Sequence, residues 1–165
     1  MKKAAALLAL LLLAASCAFA QECEEESSAF DVWATNALGA FGESMEKVVR
    51  ELGEPVRREL EKTANRHNPN ATDIMETLFY DGLKIGTLRS EDDSWFFVVS
   101  AETSSSAYEI GGLKTGDASG AVTKILGKPH SVSESKMVYE SDFYEGLFGL
   151  EDGKVTQIQL LLWLD

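Results

Sequence analysis

The chain has 165 residues, with 15 Lys and Arg against 27 Asp and Glu, a formal net charge of −12 at pH 7. A surface this acidic repels phosphate backbones and anionic headgroups, which argues against nucleic acid and acidic membrane surfaces as partners. An apolar share of 45% suits one folded domain or two small repeats.

The N-terminus has the composition of an export signal. Lys2 and Lys3 provide a positive start, residues 4–15 are an unbroken run of Ala and Leu, and Ala18-Phe19-Ala20 is a small-residue cleavage site before polar Gln21. The apolar run is too short to span a bilayer, which needs ~20 residues. Cleavage after Ala20 would make residues 1–20 a signal peptide and release a periplasmic or extracellular product. Leu13-Ala14-Ala15-Ser16-Cys17 instead resembles a bacterial lipobox, which would make Cys17 a lipidation site and the product a membrane-anchored lipoprotein. Both ends stay open. No later stretch is apolar for long enough to predict a transmembrane segment in the mature chain. Residues 21–35, acidic and Ser-bearing at their start, are expected to form a flexible lead-in. Cys23, beside Glu22 and Glu24-Glu25-Glu26, is expected to be incidental, because neighbouring acids raise a thiol's pKa.

One internal comparison organises the remainder. The segment from Gly42 to Pro55 aligns without gaps on the segment from Gly116 to Pro129. Five positions coincide: two glycines (Gly42 with Gly116, Gly53 with Gly127), one valine (Val48, Val122), one leucine (Leu52, Leu126) and the final proline (Pro55, Pro129). Ser44 in the first copy, and Asp117 or Ser119 in the second, can cap free helix N–H groups. Val48 and Leu52, like Val122 and Leu126, stand one turn apart on a helical face. Gly53 and Gly127 can take a positive φ that ends a helix, and Pro55 and Pro129 prevent its continuation. Each copy is therefore predicted to open with a short helix stopped by Gly-x-Pro.

Strands are predicted after each helix. In the first copy they cover residues 77–80, 83–88 and 95–101, with Asp81-Gly82 as a hairpin turn. In the second they cover 137–139, 143–150 and 154–164, with Glu151-Asp152-Gly153 as the turn. Ile158, Leu160, Leu162 and Leu164 alternate along the last strand, so one of its faces is expected to be buried; Leu161 and Trp163 lie on the other. Residues 57–73 form an insertion relative to the second copy, expected as a loop with a possible helical turn over 59–65 and no assigned role. The fold class is α+β: two tandem helix-plus-antiparallel-meander repeats, 36–110 and 111–165, forming a shared sheet with helices on one face.

No catalytic, cofactor or metal site is expected, and the chain is read as a non-enzyme. His67 and His130 lack metal-ligand spacing, and the serine clusters lack a nucleophile-elbow setting. Glu91-Asp92-Asp93 lacks the alternating oxygen ligands of a calcium loop. What remains is surface recognition. Tyr80, Trp95, Phe97, Tyr139, Tyr144 and Trp163 are strand aromatics, the residue class that dominates protein interfaces when exposed. At least two of them are expected on an open sheet face, as protein contacts.

The motif Gly-acid-x-x-x-x-Val-x-x-x-Leu-Gly-x-Pro, followed by a meander ending in Glu151-Asp152-Gly153-Lys154-Val155, resembles the SmpA/OmlA outer-membrane lipoproteins. In tandem it resembles the β-lactamase-inhibitor-protein-like fold. The likeness covers roughly residues 36–165 and rests on caps, turns and core positions. It implies two α+β repeats with one continuous sheet, and an exported protein that binds a partner protein without catalysis. The alternative it implies is an inhibitor of a secreted enzyme of the β-lactamase or lysozyme type.

Overall fold

The computed structural model describes residues 28–65 and 67–163. The expected export signal, Cys17 and Cys23 lie outside those residues. Among the described residues, three helices and eight antiparallel strands form an α+β structure with one open sheet. The helices are α1 (Ala29–Gly39), α2 (Met45–Leu52) and α3 (Ser119–Leu126). The strands are β1 (Arg57–Ala64), β2 (Thr72–Tyr80), β3 (Leu83–Ser90), β4 (Phe96–Thr103), β5 (Ser131–Val132), β6 (Lys136–Glu140), β7 (Tyr144–Glu151) and β8 (Lys154–Leu162). Their order across the sheet is β1-β2-β3-β4-β8-β7-β6-β5. Each of α2 and α3 leads into four strands, and the two sets of four meet where β4 pairs with β8.

Helix α1 corrects the expectation of a flexible lead-in over 21–35, at least from residue 28 onward. Ser28 and Asp31 form a reciprocal capping box at its start. Phe30, Trp33, Ala34, Ala37 and Leu38 recur at helical spacing and are all buried. The polar residues before the cap set the composition of the segment, but this stripe decides its structure.

Helix α2 begins where Ser44 accepts from the Lys47 N–H and ends at Gly53. Helix α3 begins at Ala118 with no side-chain cap, which corrects the expected capping by Asp117 or Ser119. Asp117 instead accepts from the Lys114 N–H at 3.0 Å. The Ser119 N–H is taken by the Gly153 carbonyl at 2.9 Å, so the β7–β8 turn supplies the acceptor. Gly53 and Gly127 end their helices at φ 83° and 79° with extended ψ, a region essentially reserved for glycine.

The expected insertion loop is also corrected. Residues 57–64 form the edge strand β1, which pairs in register with β2 from Arg57↔Phe79 to Ala64↔Thr72. All eight of its side chains are exposed, so no apolar alternation marked it in the sequence. Charged side chains are one way an edge strand avoids further pairing.

One face of the sheet meets the helices. Leu78, Ile85, Ala101 and Leu160 form one cross-strand row there, and Tyr80, Leu83, Ile158, Phe148 and Met137 belong to another. These side chains join the buried faces of α1, α2 and α3 in a single core. Helix α1 touches β4, β7 and α3. Its aromatic residues rest on glycines: a Cβ at Gly146 would fall 2.8 Å from the Phe30 ring, and one at Gly111 would fall 2.3 Å from Trp33 Nε1. The Trp33 indole donates to the Gly111 carbonyl at 2.8 Å. Gly111 also has φ 58°. Gly111→Ala should therefore destabilise the fold by about 2–4 kcal/mol, through overpacking and an unfavourable backbone angle. A urea midpoint unchanged from wild type would show that this seat does not constrain α1.

Candidate functional site: the open sheet face

Among the described residues no helix covers the other sheet face, and the register fixes which side chains share it. One row runs Glu61, Met75, Leu88, Phe97 across β1 to β4. The next runs Glu59, Thr77, Gly86, Ser100, Leu161, Glu145. A third begins at Arg57 and Phe79 and crosses Lys84, Glu102, Gln159 and Leu147 to reach Val138. The alternation that turns Leu78 and Ile85 into the core turns Met75, Phe79 and Leu88 outward.

Several of these side chains are large, apolar and uncovered. Phe97 is 56% exposed and Met75 36%. Trp163, just beyond β8, is 46% exposed; its N–H donates to the Phe143 carbonyl at 2.7 Å, and Phe143 itself is 64% exposed. Trp95 packs on Phe97 with ring centroids 5.8 Å apart. The Arg57 guanidinium sits 3.6 Å from the Phe79 ring centroid and pairs with Glu59. Lys84 faces Glu102 at 3.8 Å, and Gln157 donates to Glu102 at 2.8 Å.

The six aromatic residues singled out in the sequence divide evenly. Trp95, Phe97 and Trp163 lie on or beside the open face. Tyr80 and Tyr139 are buried in the core, and half-buried Tyr144 packs against it. Tyr139 donates to the Gly127 carbonyl at 3.1 Å, and the Tyr144 hydroxyl bonds Thr35 of α1 at 2.9 Å. Both are helix-side residues rather than surface contacts. Burial pushes the Tyr80 and Tyr139 hydroxyls above their ordinary pKa. Met75, Phe79, Leu88 and Phe143 belong to the face and were not singled out. The available signal was Ile74-Met75 and Leu78-Phe79 in β2, adjacent apolar pairs that place greasy side chains on both faces.

A cleft of about 590 Å³ adjoins Trp95 between the β1–β2 and β3–β4 turns. Its polar groups are mostly spent on one another. Asn65 donates to both carboxylate oxygens of Asp73 and accepts from the His67 and Asn68 N–H groups. Hydrogen bonds from Ser90 and Ser94 hold the Asp92 carboxyl below its usual range, and the Lys62 ammonium does the same for Glu91. The cleft is thus a network that orders two turns. Elsewhere, His130 pairs with Glu140 at 3.4 Å, both exposed. Among the described residues, no three His, Cys, Asp or Glu side chains come close enough to hold a metal ion. No described helix is long and apolar enough to cross a membrane.

Comparison with known proteins returns no matching family model, no matching curated protein and no matching solved structure.

The two classes of aromatic separate by stability. Phe97→Ala removes an exposed ring and should change the unfolding free energy by less than about 1 kcal/mol. Tyr139→Ala empties a core site and should cost about 3–5 kcal/mol. Denaturation curves of the two variants that overlay would refute the face assignment.

Proposed function

We propose that this chain is an exported, non-enzymatic protein-binding module of the bacterial cell envelope, related to the SmpA/OmlA and β-lactamase-inhibitor-protein-like superfamily, and that it docks a partner on its open sheet face. The observation that carries this reading is the file Met75, Leu88, Phe97, with Trp95 tilted against Phe97 at its end and Trp163 and Phe143 farther across the sheet. Folding buries comparable side chains on the helix side and leaves Met75, Phe97, Phe143 and Trp163 exposed, with Leu88 and Trp95 half-buried. Large exposed apolar surface of this kind marks interaction sites.

The same proposal includes a duplication. Supporting it, the N-caps Ser44 and Ala118, the helices Met45–Leu52 and Ser119–Leu126, and the terminators Gly53 and Gly127 all fall at one constant offset. The terminal N–H groups bond Val49 and Thr123, again equivalent positions. The lobes differ in their caps, since Ser44 caps with its side chain and Ala118 cannot, and in two further respects. α1 precedes only the first helix, and β1 is a full strand where β5 has two residues.

Export would deliver the module to the periplasm or the cell surface, and intact-mass measurement of the exported chain distinguishes a Gln21 start from a lipidated Cys17. The docking reading is tested by capture from envelope extract with purified protein. Trp95→Ala combined with Trp163→Ala should lower capture at least tenfold while the circular dichroism spectrum and melting temperature hold. Undiminished capture by that folded variant would refute docking on this face.

A further inference from the structure

The distribution of charge around the open face identifies the kind of protein it fits. On strand β1, Arg58 and Lys62 fall on the helix side, while Arg57, Glu59 and Glu61 fall on the open side, as the pairings Arg58↔Leu78, Arg57↔Phe79 and Glu61↔Met75 fix. At the far side of the sheet, Glu145 pairs across from Leu161, and Glu140 across from Glu145. The apolar surface is thus bracketed by carboxylates at both ends. The bases in its three rows are already engaged, Arg57 by Glu59 and Lys84 by Glu102. Among the described residues, Glu61 and Glu145 have no cationic partner.

We propose that the partner is a cationic protein that sets an apolar patch on Met75, Leu88, Phe97 and Leu161 and basic side chains against Glu61 and Glu145. This rests on the docking reading above and specifies its partner. Glu61 and Glu145 stand on strands five steps apart, about 24 Å at ~4.8 Å per step. A small cation cannot bridge that span, whereas a protein surface or an extended peptide can. A second copy of this chain is disfavoured as occupant, because each copy carries a net charge of −12 and presents the same acids. Unpaired acids at the rim also act over distance, speeding encounter with a cationic partner and making association salt-dependent.

The test uses the full chain and two fluorescein-labelled strand peptides of equal length, one alternating Leu and Lys, the other Leu and Glu. Fluorescence anisotropy is read at 50 and 300 mM NaCl. The Leu/Lys peptide should bind at least tenfold more tightly at low salt, with the preference shrinking at high salt. Glu61→Gln combined with Glu145→Gln should weaken Leu/Lys binding about three- to tenfold, and Phe97→Ala should weaken it too. Equal affinity for the two peptides, or a double-Gln variant that binds like wild type while Phe97→Ala does not, would overturn the charge assignment and leave the docking face standing. Binding insensitive to Phe97→Ala would place the peptides elsewhere and remove the docking face with it. Sedimentation showing a dimer that Phe97→Ala dissolves would assign the face to a second copy and overturn the cationic partner.

Discussion

The seating of α1 over the junction of β4 and β8 is the constraint on which the molecule depends. That junction is short: four residues of β4 pair with four of β8, from Ser100↔Leu161 to Thr103↔Ile158. Backbone ladders alone make a poor clamp, since the net worth of each hydrogen bond is only about 1 kcal/mol. Helix α1 contacts β4 on one side of the seam, β7 on the other, and α3 beyond. Small residues let it sit close. Ala34, Ala37 and Ala101 are essentially fully buried, and Gly111 and Gly146 leave room for Trp33 and Phe30. The aromatic chain Phe30–Trp33, Phe30–Tyr139 and Trp33–Phe148 then ties the helix to the second set of strands. Burial of side chains this large contributes about 1.5–3 kcal/mol each, which exceeds what the seam's ladder supplies per residue.

Covering one face so completely determines what the other can be. The three described helices bury their apolar stripes on the same side, so among the described residues nothing covers the outward side chains of β2, β3, β4 and β8. A solvated sheet face is ordinarily polar, and much of this one is: Thr77, Ser100, Gln157 and Gln159 lie there. The departures are concentrated where Met75, Leu88 and Phe97 pair in consecutive strands. Cross-strand neighbours stand only about 5 Å apart, so three such residues make one continuous patch rather than scattered exposures.

The sequence revealed the fold unevenly, for physical reasons that differ by element. The short helices were legible because their ends carry glycine and proline, whose backbone preferences are strong and local. The hairpins at Asp81-Gly82 and Asp152-Gly153 were legible for the same reason; Asp152 and Gly153 both take positive φ, at 50° and 74°. β1 was hidden because an exposed edge strand buries nothing and so has no hydrophobic period. α1 was hidden behind its acidic approach, although Ser28-x-x-Asp31 and the stripe from Phe30 to Leu38 were both present. Aromatic content located the candidate face only by half. A tyrosine is compatible with either side of a sheet, and what separates Tyr139 from Phe97 is registry. Tyr139 pairs across from Gly146, under α1, whereas Phe97 pairs across from Leu88, which faces out.

The edges explain how an apolar face can be kept without edge-to-edge association. β5 has two residues, too few to template another chain. β1 has eight, but it is densely charged, and an antiparallel copy in the register that sets Glu59 against Glu61 of the second chain would also set Arg58 against Lys62. The charges that guard this edge therefore also define one rim of the open face. If the open face docks a partner as proposed, recognition on the face and exclusion along the backbone edge would be served by the same glutamates, whose placement follows from strand register.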